Sequence, residues 1–201
     1  LTLVELAAPV PGPGEVVVKV AVSGVNFIDV YFRTGLYKVP PPVAIGSEAA
    51  GVVEAVGEGV TDVVPGDRVA YAMARGSYAE FAKVPAAQVV KIPEGVSFEQ
   101  AAAVLLQGMT AHYLTRSTYA LKPGDTCLVH AAAGGTGALV VQMAKSLGAR
   151  VFGTTSSAAK AAIATAAGAD AVINYVDQDF AAEARRLTDG RGVDVVYDGV
   201  G

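Results

Sequence analysis

Two rhythms of apolar and polar residues divide the chain. From Leu1 to about Pro93 the apolar runs are short, alternate with polar residues, and are broken by glycine or proline. The stretch GEVVVKVAVSGV alternates as a strand does, with Lys19 facing outward among valines. AAGVVEAVGEGV and DRVAYAMARGSYAEFAKV continue in that manner, with Gly57, Gly59, Gly66 and Gly76 at turns. Pro65-Gly66-Asp67 reads as a turn because proline presets φ, glycine tolerates positive φ, and aspartate can bond nearby backbone. This half is β-rich and barrel-like, with one helical turn around Asn26 to Thr34.

After Val96 the rhythm changes. SFEQAAAVLLQGMTAHYLTRS opens with Ser97 and has Gln100 three residues later, a capping-box pattern ahead of an apolar helix. Strands and helices then alternate through TCLVHAA, GALVVQMAKSLG, RVFGTTS, AAKAAIATAAG, AVINY, FAAEARRLTDG and VDVVYDGV. The strands are continuous apolar runs, as expected where helices cover both faces of a parallel sheet. Such an order is half of a doubly wound nucleotide-binding sheet.

Composition narrows the function classes. The 201 residues are 52% hydrophobic and 17% charged, which describes a compact globular chain. A formal charge of −4 argues against nucleic acid as the main partner, because phosphate binding wants a basic face. No apolar run is long enough to cross a bilayer, so no membrane partner is expected. The single cysteine, Cys127, lies in an apolar strand, reads as a core residue, and points to a reducing cytoplasm. The chain opens without an initiator methionine and stops just past a buried strand. Its ends therefore read as those of a fragment, whose last strand would expose an unpaired edge.

The candidate chemistry begins at AAAGGTG. Ala132, Gly134 and Gly137 form a GxGxxG variant with alanine first, placed between a strand and a helix. Gly134 would admit a pyrophosphate to the backbone, Gly137 would let helix and strand meet closely, and the helix N-terminus would face the phosphates. The second strand ends in GTTSS, where an NAD site would place an acid on the ribose 2′-hydroxyl. Thr154, Thr155, Ser156 and Ser157 are neutral there, and Lys160 follows. Hydroxyls and an ammonium attract a 2′-phosphate that an acid would repel, so the reading is NADPH over NADH. The plainer alternative for Lys160 is a solvated helix residue.

VNFIDVYFRTGLY, GSEAAGVVEAVGEGV, PGDRVAY, HAAAGGTG and VINY…VVYDGVG occur in this order. Together they closely resemble the zinc-independent quinone oxidoreductases of the medium-chain dehydrogenase/reductase superfamily, along the whole chain. The resemblance implies an α/β protein: a GroES-like β-barrel catalytic domain over residues 1–107 and the N-terminal half of a Rossmann NADP-binding domain over 108–201. It also implies NADPH in the cleft between them and a homodimer when full length. Carried over by position, Asn26, Tyr31 and Tyr37 match residues lining the quinone and nicotinamide cleft, and Ser47 and Thr110 match positions at the nicotinamide end. Gly134, Gly135, Thr136 and Gly137 match the pyrophosphate turn; Gly153, Lys160 and Tyr175 match the 2′-phosphate pocket. The family often has valine where Thr136 stands, which leaves backbone donors intact. It often has serine at Gly199, where one contact to the cofactor is lost. Tyr31 reads equally as ordinary packing, Arg33 as an exposed charge, and Tyr71 as a barrel aromatic.

Zinc-dependent relatives place a cysteine near Asn26 and a histidine near Ser47. Here Asn26, Ser47 and Glu48, one cysteine, and His112 and His130 in different elements assemble no tetrahedral site. The resemblance thus implies metal-free hydride transfer from NADPH to a quinone or similar electron-poor acceptor. An enone, alkenal or enoyl-thioester reductase stays open, as does a non-catalytic NADPH-binding or RNA-associated protein.

Overall fold

The structure is a computed structural model that describes residues 2–199; Val200 and Gly201, the end of the VVYDGVG motif, lie outside the described residues. The chain forms two compact units that divide between Leu106 and Gln107.

In the first unit β1 (Glu15–Ser23), β2 (Glu48–Val56), β3 (Arg68–Ala72), β4 (Phe81–Pro85) and β5 (Val89–Lys91) make one antiparallel sheet in the order β4-β1-β2-β3-β5. Val16, Val18, Val53, Val69, Tyr71 and Val84 gather in one cluster. Ala50 and Ala70 belong to a second cluster with Ala101 and Ala102 of α2 (Phe98–Tyr113). These alternate positions along β2 and β3 divide as a two-sided sheet requires. Lys19 is exposed as its strand position demands. Val17 is buried beside Val16 and Val18, and register shifts at Val17/Val18 and Val20/Val22 break the strict alternation. Each fully buried valine contributes about 1.5–3 kcal/mol relative to exposure. The turn before β3 matches its sequence chemistry: Gly66 has φ +94°, and Asp67 Oδ2 accepts from the Val64 N–H at 2.9 Å.

The capping box of α2 is formed in both directions. Gln100 Oε1 accepts from the Ser97 N–H at 2.9 Å, and Ser97 Oγ accepts from the Gln100 N–H at 3.2 Å. The helical pattern runs on to Ser117, but the backbone widens into a π-helical turn over Leu114–Thr118. Thr115, fully buried, donates its hydroxyl back to the Ala111 carbonyl at 2.7 Å. The short β5 carries too few residues to show an alternation.

In the second unit β6 (Thr126–Val129), β7 (Arg150–Thr155), β8 (Ala171–Asn174) and β9 (Val195–Tyr197) form a parallel sheet in the order β8-β7-β6-β9. The connecting helices are α3 (Gly135–Ser146), α4 (Ala158–Ala166) and α5 (Phe180–Leu187). Cys127, Val129 and Val151 cluster with Val140 and Val141 of α3; Leu128, Phe152 and Ile173 form a separate cluster. Burial on both faces explains the continuous apolar runs. The strand order reverses beside β6, the switch point at which open α/β sheets receive ligands.

Candidate functional site

In the first unit the side chains of interest converge on two buried carboxylates. Asn26 stands at the N-terminus of α1 (Phe27–Thr34). Asp29, in the first turn and only 4% exposed, takes the Asn26 N–H on Oδ2 at 3.0 Å. The same oxygen accepts the Tyr78 hydroxyl at 3.0 Å. Asp29 Oδ1 accepts the Gly46 N–H at 3.0 Å and faces the Ser47 hydroxyl at 3.5 Å. Gly46 is required here: its φ is +89°, and a Cβ would come within 2.3 Å of Ser77 Oγ. Burial first, and then the bond to Asp29, pushes the Tyr78 hydroxyl up to about 12.

Glu48 opens β2 and is fully buried. Its Oε1 accepts from Asn26 Nδ2 at 2.9 Å, and its Oε2 accepts from the Leu106 N–H at 3.3 Å. Asn26 is therefore held at its backbone by one carboxylate and at its amide by another. Gly24 makes room for this, because a Cβ there would fall 2.2 Å from Glu48 Oε1.

Beside this network lies an aromatic cluster. The Tyr31 and Tyr37 rings meet edge-on with centres 5.4 Å apart, as do Phe32 and Tyr37 at 5.8 Å, while Phe27 and Tyr31 lie tilted at 6.1 Å. Tyr37 is 48% exposed and Phe27 is 77% exposed. Tyr31 thus has the packing contacts expected of a cluster member while lying beside an accessible ring. Arg33 is exposed; Tyr71 is buried in the sheet core with an unpartnered hydroxyl.

In the second unit the glycine turn is built as its spacing requires. Gly134 caps α3 with extended backbone, and Gly134 and Gly135 are exposed. A Cβ on Gly137 would meet the Ala131 carbonyl oxygen at 2.3 Å, so helix and turn touch through backbone. Gly134, Thr136, Gly137, Asp198 and Gly199 line part of a cavity of about 440 Å³ at the switch point. A Cβ on Gly199 would meet nothing within 4 Å, so a serine there would be accommodated. Thr110 lies half-buried on α2, and Tyr175 is 50% exposed at the end of β8.

The end of β7 corrects the hydroxyl set read from GTTSS. Thr154 is fully buried and its hydroxyl is engaged with His130 Nδ1 at 2.9 Å. β7 lies between β6 and β8, so Thr154 and Thr155 sink into the sheet and Thr154 is unavailable to a phosphate. Ser156 and Lys160 remain accessible, with Lys160 Nζ donating to Ser156 Oγ at 3.3 Å. Gly153 has a packing role: a Cβ there would lie 2.7 Å from the Ala132 methyl.

Sequence reasoning passed over Asp29, Glu48, Tyr78 and His130 as site residues. An acid three positions after a helix-capping asparagine was a usable local signal for Asp29. The partners of Glu48 and Tyr78 are distant in sequence and left no such mark.

Residues 12–94 match the alcohol dehydrogenase GroES-like domain, and residues 135–201 match the zinc-binding dehydrogenase domain. The chain is 50% identical to a Pseudomonas aeruginosa quinone oxidoreductase, over 95% of its own length and 59% of that protein's. It superimposes on the Escherichia coli quinone oxidoreductase complexed with NADPH with a TM-score of 0.96 and 46% identity, covering 98% of this chain and 61% of that one. A Burkholderia 2-haloacrylate reductase is 46% identical over 95% of this chain and 60% of its own. The chain belongs to the medium-chain dehydrogenase/reductase superfamily. It spans about three fifths of the length of these relatives.

The zinc in the matched domain's description does not fit this family member. Asn26 offers Glu48 a donor nitrogen instead of a thiolate, and Glu48 itself is closed in by backbone. Cys127 is buried within β6, its thiol pushed up to about 12 by burial. Among the described residues no group of three or more His, Cys, Asp or Glu is placed to hold a metal, and no helix is long and apolar enough to cross a membrane.

Proposed function

We propose that the chain is the nucleotide- and acceptor-binding part of an NADPH-dependent quinone reductase that works without a metal. The observation carrying this reading is the end of β7. The neutral Ser156 and the cationic Lys160 stand 3.3 Å apart where a ribose-binding acid would exclude a 2′-phosphate. The NADPH named with the Escherichia coli relative supports the same cofactor.

The second unit fits the dinucleotide. Gly134, Gly135, Thr136 and Gly137 present backbone at the start of α3, whose first N–H groups lack intrahelical partners and favour anions. Ser156, Lys160 and Tyr175 would hold the adenosine end, with Thr110 and Gly199 toward the nicotinamide end. Bound there, NADPH would supply a hydride. Asn26, locked by Asp29 and Glu48, would orient the acceptor, and Tyr31 and Tyr37 would lie along its ring. A quinone that gains a hydride becomes a hydroquinone anion stabilised by its own aromaticity, and its final proton comes from solvent. No protein acid is needed for that step.

The 2-haloacrylate reductase relative favours a second reading, reduction of an activated carbon–carbon double bond. The proposal extends to a homodimer in a reducing cytoplasm. The buried single thiol supports the compartment, and sedimentation of the full-length protein tests the dimer. The cofactor test is direct titration of the full-length protein. Lys160→Ala should weaken NADPH binding about ten-fold while leaving NADH unchanged. Equal loss for both nucleotides overturns the 2′-phosphate role. NADPH consumption against quinones and against haloacrylates decides between the two acceptor classes.

A further inference from the structure

Arg75 lies in the loop between β3 and β4, with its guanidinium 4.5 Å from the centre of the Phe32 ring. Phe32 touches Tyr37, which touches Tyr31, so a continuous chain of ring contacts links the cation to both aromatic acceptor candidates. Arg75 is exposed, and among the described residues it makes no ion pair. Its loop is nevertheless fixed. The Met73 N–H donates to the Ser47 carbonyl at 2.8 Å, the Gly76 N–H donates to the Gly46 carbonyl at 2.9 Å, and Ala74 between them is buried. Asp29 holds the same Gly46-Ser47 segment.

A guanidinium held over a ring by cation–π attraction still carries N–H donors that can bind a planar anion. The same cluster is flanked in sequence by two other exposed cations, Arg33 after Phe32 and Lys38 after Tyr37, but among the described residues only Arg75 is held over one of its rings. Set over a ring and carried on a hydrogen-bonded loop, Arg75 has a defined place from which to meet an anionic group.

We propose that Arg75 determines acceptor specificity, selecting planar electron-poor acceptors that carry an anionic group such as a carboxylate, sulfonate or ionised hydroxyl. The inference rests on the reading that Tyr31 and Tyr37 face the acceptor. It is tested on the full-length protein with ortho-naphthoquinone and its sulfonate, comparing wild type with Arg75→Gln. The substitution should raise KM for the sulfonate about ten-fold and leave the parent quinone within about two-fold. Added salt should weaken the sulfonate preference of the wild type more than that of the variant. Equal changes for both quinones, or none for either, overturn the proposal. Binding of naphthalene sulfonate against naphthalene sulfonamide supplies a readout without turnover. Preference for the sulfonate that disappears in Arg75→Gln upholds the anion site even where neither quinone is reduced, and that outcome refutes the reductase reading alone.

Discussion

The candidate sites of the two units are built by opposite means. In the first, the arrangement rests on side chains: Asp29 and Glu48 are buried, and between them they fix Asn26, Gly46, Ser47 and Tyr78. In the second it rests on backbone: Gly134 and Gly137 matter because they have no side chain, and the proposed 2′-phosphate partners, Ser156 and Lys160, are accessible. The lesson concerns robustness. A side-chain hub fails when its one acceptor group is removed, whereas a backbone cradle fails when anything is added.

Asp29→Ala breaks the first arrangement most severely. It strips the acceptor from two backbone N–H groups and a phenol, at about 1–3 kcal/mol for each group left buried. A loss of about 3 kcal/mol in chemical denaturation is expected, together with loss of acceptor turnover. NADPH affinity should persist, and its disappearance would refute the division of labour. Gly137→Ala tests the second arrangement. The new methyl would run into the Ala131 carbonyl, so stability should fall by about 1–3 kcal/mol and NADPH titration should show lost binding. A variant that binds NADPH normally would show that the turn is not the cradle.

Thr154→Val sharpens the comparison at smaller scale. It removes the partner of His130, and about 1 kcal/mol of stability should go while the preference for NADPH over NADH stays. A changed preference would return Thr154 to the phosphate site. The smallest effect lies in the alkaline limb. Because Tyr78 is raised to about 12 in the folded state, from an ordinary value near 10, the folded protein holds this proton more tightly. The resulting stabilisation is complete below about pH 10 and is lost as pH rises through the folded value. Tyr78→Phe should flatten this decline, which alkaline melting curves would reveal.

What was legible in the sequence follows range. The capping box of Ser97 and Gln100, the turn at Gly66, the glycine turn before α3 and the parallel strands all depend on residues a few positions apart, or on runs buried on both faces. The family motifs singled out Asn26 and Ser47 as candidates. They did not reveal that one carboxylate ties both to Tyr78, because Tyr78 is 49 residues from Asp29. Thr154 was misread for a related reason. Four hydroxyl residues in a row look equivalent on paper, and only the neighbouring strands decide which are submerged.

The alanine that replaces the first glycine of the nucleotide motif now has an explanation with a consequence. Ala132 rests its methyl in the hollow left by Gly153 on the adjoining strand. The two positions share space for a single carbon, so they should tolerate exchange together but not independently. With that methyl gone, a methyl at 153 would meet only Ala164 and Ala169, at 3.7 and 3.8 Å. Gly153→Ala alone would lift the loop, while combining it with Ala132→Gly should restore the fit.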